Sequence, residues 1–328
     1  MTQRPQNRAG LGIALIMTGI FFISVNDVLI KRLSGGYPLH QIIFVRSSIG
    51  LILCLALVQV EGGWKILKTR DPWLHALRGL LIVIANMTFF LALAVLPLAE
   101  ATALFFVAPL LITLLSIPIL GERVGPARLT AIVIGFVGVL LMQRPWEGSE
   151  TLEVSRVVLL LPVLAAAAYA LNQVLTRKLG VMARASAMAV YIQTTFIIVS
   201  SLFYLFAGDG RYARDTSNAS VEFLFRAWIW PEPGDWITFI SVGFAIAIVA
   251  YCLGQAYRLA DAATIAPFEY VGLPLAVFWG FVIFGDLPDW EVWAGIALIL
   301  GSGLFVFLRE RRRARRPLSQ VVGQTANR

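Results

Sequence analysis

"SVNDVLIKRL" fills residues 24–33 and "ALNQVLTRKL" fills residues 170–179. Each closes an apolar run, and each sets amides or charges at matching places. The first carries Asn26, Asp27, Lys31 and Arg32; the second carries Asn172, Gln173, Arg177 and Lys178. The echo extends outward in register. "FVRSS" at 44–48 matches "YIQTT" at 191–195, and "LAEATAL" at 98–104 matches "LADAATI" at 259–265. After a three-residue insertion near 266–268, "FVAPLL" at 106–111 resembles "YVGLPL" at 270–275. "GER" at 121–123 and "GDL" at 285–287 end those segments, while "IGFVGVLL" and "ILGSGLFV" lie in the last segment of each half. The chain is a duplication.

Composition sets the solvent. The 328 residues are 59% hydrophobic and 14% charged, with a mean hydropathy of +0.79. Soluble domains carry about 25% charged residues, so this is a chain for lipid. Ten apolar runs approach the roughly 20 residues that a membrane crossing requires: 11–30, 39–60, 79–96, 101–120, 127–142, 157–175, 187–207, 237–257, 262–284 and 293–308. The expected fold is an all-α integral membrane protein of ten transmembrane helices, arranged as a 5+5 inverted-topology repeat. Five is odd, so the second copy enters the membrane from the opposite side. Such pairs build alternating-access carriers with the substrate site where the halves meet.

The expected organisation is a short N-terminus (1–10), a first repeat (11–144), a linker (145–156), a second repeat (157–309) carrying a long loop at 208–235, and a basic tail (310–328). With both termini placed inside, 19 of the 27 Lys and Arg fall in inside segments, seven fall outside, and Arg46 lies within a span. That asymmetry places both termini in the cytoplasm, as in a multi-pass protein of a bacterial inner membrane. Arg4, Arg8 and the first apolar run resemble a signal peptide, but the run's internal twin at 157–179 argues for a permanent span. The net charge of +8 is concentrated in "RERRRARR" at 309–316, directly after a span, which suits anionic lipid rather than nucleic acid. Cys54, Cys252, His40 and His75 have no disulfide or metal-ligand spacing, and no cofactor is expected. No GxxxxGK[ST], HExxH or GxSxG stretch occurs, which argues against nucleotide hydrolysis and enzymatic chemistry.

Polar residues inside spans are costly and mark function by default. Asp27 is the sharpest, with Lys31 at i+4 and Arg46 at comparable depth in the next span as neutralising partners. Glu269, between Pro267 and Tyr270, has no partner evident in sequence and suits a proton or a cation. Glu100 and Asp261 open spans after tight connections, where a carboxylate meets free N–H groups. Pro109 and Pro274 are expected to kink their helices. Asn26, Asn86, Asn172, Gln173, Tyr191, Gln193, Gln255 and Trp279 complete a candidate substrate site with Asp27, Arg46, Glu269 and Tyr270. A small organic solute, membrane lipid and protons are the expected partners.

The fourth span, "LPLAEATALFFVAPLLITLLSIPILGER", and its echo "LADAATIAPFEYVGLPLAVFWGFVIFGD" resemble the drug/metabolite transporter superfamily, in its ten-span branch with two EamA-type domains. The likeness covers roughly 11–309. "NDVLIKRLSGGYP" with "QIIFVRSS" is similar to bacterial members related to S-adenosylmethionine uptake carriers and riboflavin transporters. The resemblance implies a basket of helices around a central cavity; it assigns no individual binding residue.

Overall fold

In lipid, a backbone N–H or C=O has no water to turn to and must bond within its own segment. The apolar runs accordingly fold as helices. The computed structural model describes residues 9–69, 71–121, 124–144, 146, 155–179, 185–214, 216, 218–259 and 268–314. The first repeat contains α1 (Ala9–Leu33), α2 (Leu39–Glu61), α3 (Pro72–Leu93), α4 (Leu98–Phe105), α5 (Ala108–Leu120) and α6 (Pro126–Gln143). The second contains α7 (Arg156–Leu179), α8 (Ala185–Ala207), a short α9 (Ala219–Phe225), α10 (Trp236–Leu259), α11 (Gly272–Trp279) with a π-helical turn at Gly280–Phe284, and α12 (Trp290–Ala314). Among the described residues, nine helical segments are long and apolar enough to cross a membrane, and Gly272–Phe284 is a shorter apolar tenth. The ten-helix expectation holds.

The fourth span of each repeat is broken. In the first, α4 and α5 are separated at Phe106 and Val107; in the second, a turn at Tyr270 and Val271 precedes α11. These are the aligned "FV" and "YV" of the two copies. Pro109 explains the first break, because its ring displaces a hydrogen bond and clashes one turn back. Pro274 lies within the first turn of α11, where it is tolerated. Both spans then stop on a left-handed glycine, Gly121 (φ 69°) and Gly285 (φ 73°), a conformation that favours a residue without a Cβ. Asp261 and Pro267 lie outside the described residues.

Helix packing follows the duplication. The largest contacts pair α1 with α10, α7 with α3, α2 with α8 and α6 with α12, and α4 meets α11. The first span of each repeat thus lies against the third of the other, and the second, fourth and fifth lie against their own twins. This is the pattern that a two-fold axis imposes. At the α6–α12 seam the backbones nearly touch: a Cβ on Gly138 would lie 3.0 Å from the Gly295 carbonyl, and one on Gly295 would lie 2.9 Å from the Gly138 carbonyl. Small residues permit such an approach, and van der Waals contact rewards it.

The connection at 208–235 covers one end of the bundle, here the loop face. Tyr37 Oη donates to Asp235 Oδ2 (2.6 Å) and accepts from Glu232 N (3.0 Å). The Gln41 amide donates to Ile229 O (2.6 Å) and accepts from Ile229 N (3.3 Å). Ser220 Oγ donates to Leu91 O, and Arg226 Nη1 donates to Ser34 O. Just ahead of "RAWIWPEP" (226–233) lies the short helix α9, whose first turn is capped by the Asn218 side chain. Of the two tryptophans, Trp228 turns inward against His40, Phe44 and Tyr204, while Trp230 is 83% exposed.

Candidate functional site

Arg46, on α2, is 1% exposed and is the largest fully buried side chain among the described residues. Its guanidinium lies between two rings, 5.6 Å from the Phe90 centroid on α3 and 5.1 Å from that of Phe196 on α8. None of its nitrogens has a hydrogen-bond partner. Asp27, on α1, is partly buried and accepts from Asn26 Nδ2 (3.1 Å). Asp27 and Arg46 stand within each other's field but stop short of an ion pair. The Asp27–Arg46 pair that the sequence suggests is not closed: the two side chains act on each other through space without an ion-pair contact.

Lys31 does something else. Its ammonium donates to Leu93 O (3.2 Å) and Leu96 O (2.5 Å) and lies over the Phe284 ring. Leu93 O ends α3 and Leu96 O lies three residues beyond it, where no following helical turn remains to satisfy them. Lys31 therefore caps a neighbouring helix rather than neutralising Asp27. The Arg177 and Lys178 side chains lie outside the described set.

A second cluster lies beside the two helix breaks. Phe106 and Tyr270 stack across the repeat boundary, 5.5 Å between centroids and 29° between planes. Glu269, partly buried, acts electrostatically on the Tyr169 and Tyr270 hydroxyls. Gln173 Nε2 donates to Tyr169 Oη (2.7 Å), and Tyr169 meets Phe105 at 5.7 Å. Phe105 meets Phe89 at 5.5 Å, next to Phe90. An aromatic wall thus runs from Arg46 to the surroundings of Glu269. On the other side, Trp279 Nε1 donates to Ser24 Oγ (3.0 Å), tying α11 to α1 one turn from Asp27. A planar solute can stack on such a wall, and the charges at its ends can orient it.

The remaining candidates make contacts of their own. Tyr191 donates to Leu67 O (2.6 Å) and packs against the tilted ring of His75, fastening α8 to the connection before α3. Gln255 shares a crevice with Cys54, Glu61 and Ser186 at the end of the bundle opposite the loop face. Asn86 bonds back to Ile82 O on its own helix. Gln193 and Asn172 are buried, and each has a side-chain oxygen without a partner. Gln193 lies against Gly50 at the α2–α8 crossing, in the position related to Arg46 by the repeat. Glu100 lies in the first turn of α4, as expected.

The aromatic residues escaped sequence reasoning. Phe89, Phe90, Phe105 and Phe196 look in composition like any lipid-facing phenylalanine. Tyr169 left one trace: it stands one turn before Gln173, the polar position already singled out.

Duplicated bundles with broken helices meeting between the repeats are an architecture on which membrane transporters are built. Residues 10–144, the first repeat, match the model of the EamA-like transporter family. Over 92% of both chains, the protein is 29% identical to a protein of Rhizobium johnstonii named riboflavin transporter. It is 27% identical to a Rickettsia prowazekii protein named S-adenosylmethionine uptake transporter, over 92% of this chain and 94% of that one. A Pseudomonas aeruginosa protein named pseudopaline exporter CntI is 25% identical over 88% of this chain. A solved crystal structure superposes with a TM-score of 0.62 at 21% identity, covering 92% of this chain and 98% of that one, which establishes the fold.

Proposed function

We propose that this protein is a secondary carrier that takes up a small metabolite with a planar ring, of the riboflavin or S-adenosylmethionine kind, by alternating access. Both termini face the cytoplasm, and the loop face is external. The observation that carries the reading is the stacking of Phe106 on Tyr270 at twin helix breaks, flanked by Asp27, Arg46 and Glu269. Broken helices at a repeat boundary are where inverted-repeat carriers bind their solutes. Names among the relatives support uptake of a flavin or a sulfonium nucleoside. Protons are the coupling ion that Asp27 and Glu269 suit, since a carboxylate facing a chamber can accept a proton on one side and release it on the other.

Export is the second reading, favoured by the exporter among the relatives. Purified protein in liposomes with an imposed proton gradient decides between them. Gradient-dependent accumulation of labelled riboflavin or S-adenosylmethionine supports uptake. Movement in the efflux sense alone supports export, and conversion of solute to product indicates an embedded enzyme.

A further inference from the structure

Arg46 and Asp27 present opposite charges at the bundle centre and do not meet. A guanidinium carries five N–H donors, and none of the Arg46 nitrogens has an acceptor although the residue is 1% exposed. Phe90 and Phe196 flank it at 5.6 and 5.1 Å, and neither ring offers a conventional hydrogen-bond acceptor. Among the described residues, Asp27 is the carboxylate whose field acts on Arg46, and its side chain accepts a hydrogen bond from Asn26 alone. Burying a charge without close partners is expensive. Two opposite charges held near each other and left unjoined describe a site lacking its middle member.

Resting on the uptake reading, we propose that the interval between Asp27 and Arg46 receives the zwitterionic head of an α-amino acid group. Its carboxylate takes the Arg46 fork and its ammonium takes Asp27. The two groups sit on one carbon, so the head supplies both charges in the order the site needs. The site then alternates in sign and sums to zero. The planar base attached to that head lies along the aromatic wall towards Tyr169. This selects a nucleoside bearing an amino acid over a flavin, which has no ammonium to offer Asp27.

The test is equilibrium binding to the full chain in lipid nanodiscs, with four probes. S-adenosylmethionine carries the whole head, decarboxylated S-adenosylmethionine lacks the carboxylate, 5′-methylthioadenosine lacks the head, and riboflavin has none. Wild type should bind S-adenosylmethionine about 30-fold more tightly than the decarboxylated form, the usual loss for one hydrogen-bonded charge. Arg46→Gln should erase that ratio while leaving 5′-methylthioadenosine binding unchanged. Arg46→Lys, which keeps the charge and loses the fork, should restore part of it. Because the four-probe series on wild type needs no variant, misfolding of Arg46→Gln leaves the comparison intact. Equal affinity for S-adenosylmethionine and 5′-methylthioadenosine overturns the proposal. Binding of riboflavin alone overturns it too, yet leaves the uptake reading standing. Binding and transport of none of the four removes both.

Discussion

Phe106 and Tyr270 occupy the same place in the two repeats and stack on each other at 5.5 Å. Twin residues can touch only on the axis that relates them, so this pair marks where the halves turn about one another. Each also sits at the break of its own span.

The stack should be measurable as a coupling. Phe106→Ala and Tyr270→Ala, singly and together, should show about 1 kcal/mol of non-additivity in unfolding free energy. Strict additivity in that cycle would mean that the rings are neighbours without mutual stabilisation.

Lys31 should matter to folding more than to solute recognition. Lys31→Met leaves the Leu93 and Leu96 carbonyls without their donor and should lower stability by about 1–3 kcal/mol. Asp27→Asn should leave thermal stability within about 1 kcal/mol and abolish gradient-driven uptake. The opposite assignment of effects would restore Lys31 as the partner of Asp27.

The α6–α12 seam offers a matched pair of substitutions. A Cβ on Gly295 would lie 2.3 Å from Met142 Cγ and 2.9 Å from the Gly138 carbonyl, whereas one on Gly301 meets nothing within 4 Å. Gly295→Ala should destabilise by about 1–3 kcal/mol. Gly301→Ala, in the same helix, should be neutral or stabilising by up to about 1 kcal/mol. Similar melting temperatures for the two variants would show that the seam is looser than described.

Opposite threading of the repeats has a direct readout. Single cysteines at positions 32 and 178, in a background lacking Cys54 and Cys252, should react with an impermeant maleimide from opposite sides of the membrane. Labelling of both from one side removes the inverted repeat.

Tyr37 gives the loop clasp a pH limit. Burial, followed by the hydrogen bond to Asp235, raises its phenol above the ordinary 10.0. A raised phenol contributes stability that is complete below pH 10, the unfolded value, and is lost as pH climbs through the folded one. Amides of 226–235 should therefore stay protected from hydrogen exchange at neutral pH and open in strong alkali. Tyr37→Phe should open them at neutral pH. Unchanged protection in that variant would assign the clasp to Gln41 and Arg226.

Much of the fold could be read from residues alone. A carboxylate in an apolar run, as at Asp27, is conspicuous, and so is its recurrence as Gln173 in a second copy. The helix breaks were foreshadowed by Pro109 and Pro274, although the structure puts the first break ahead of Pro109. What sequence withheld is partnership across distance. Lys31 bonds to backbone carbonyls more than 60 residues away, and carbonyls have no signature in sequence. Tyr191 resembled a chamber residue and serves as a fastener to Leu67 instead. The phenylalanines around Arg46 were invisible because bundle-facing and lipid-facing rings share one composition.

The clasp at 208–235 belongs to one repeat only; the matching turn of the other, between α2 and α3, is a short connection. Unsealing the loop face means breaking the bonds at Tyr37, Gln41, Ser220 and Arg226, whereas the opposite end is held by Tyr191 on Leu67 O, Ser186 on Glu61 and Arg78 on Thr176. Related helices are therefore fastened by unlike bonds at their two ends. Cutting one set should tilt the bundle towards opening on that side.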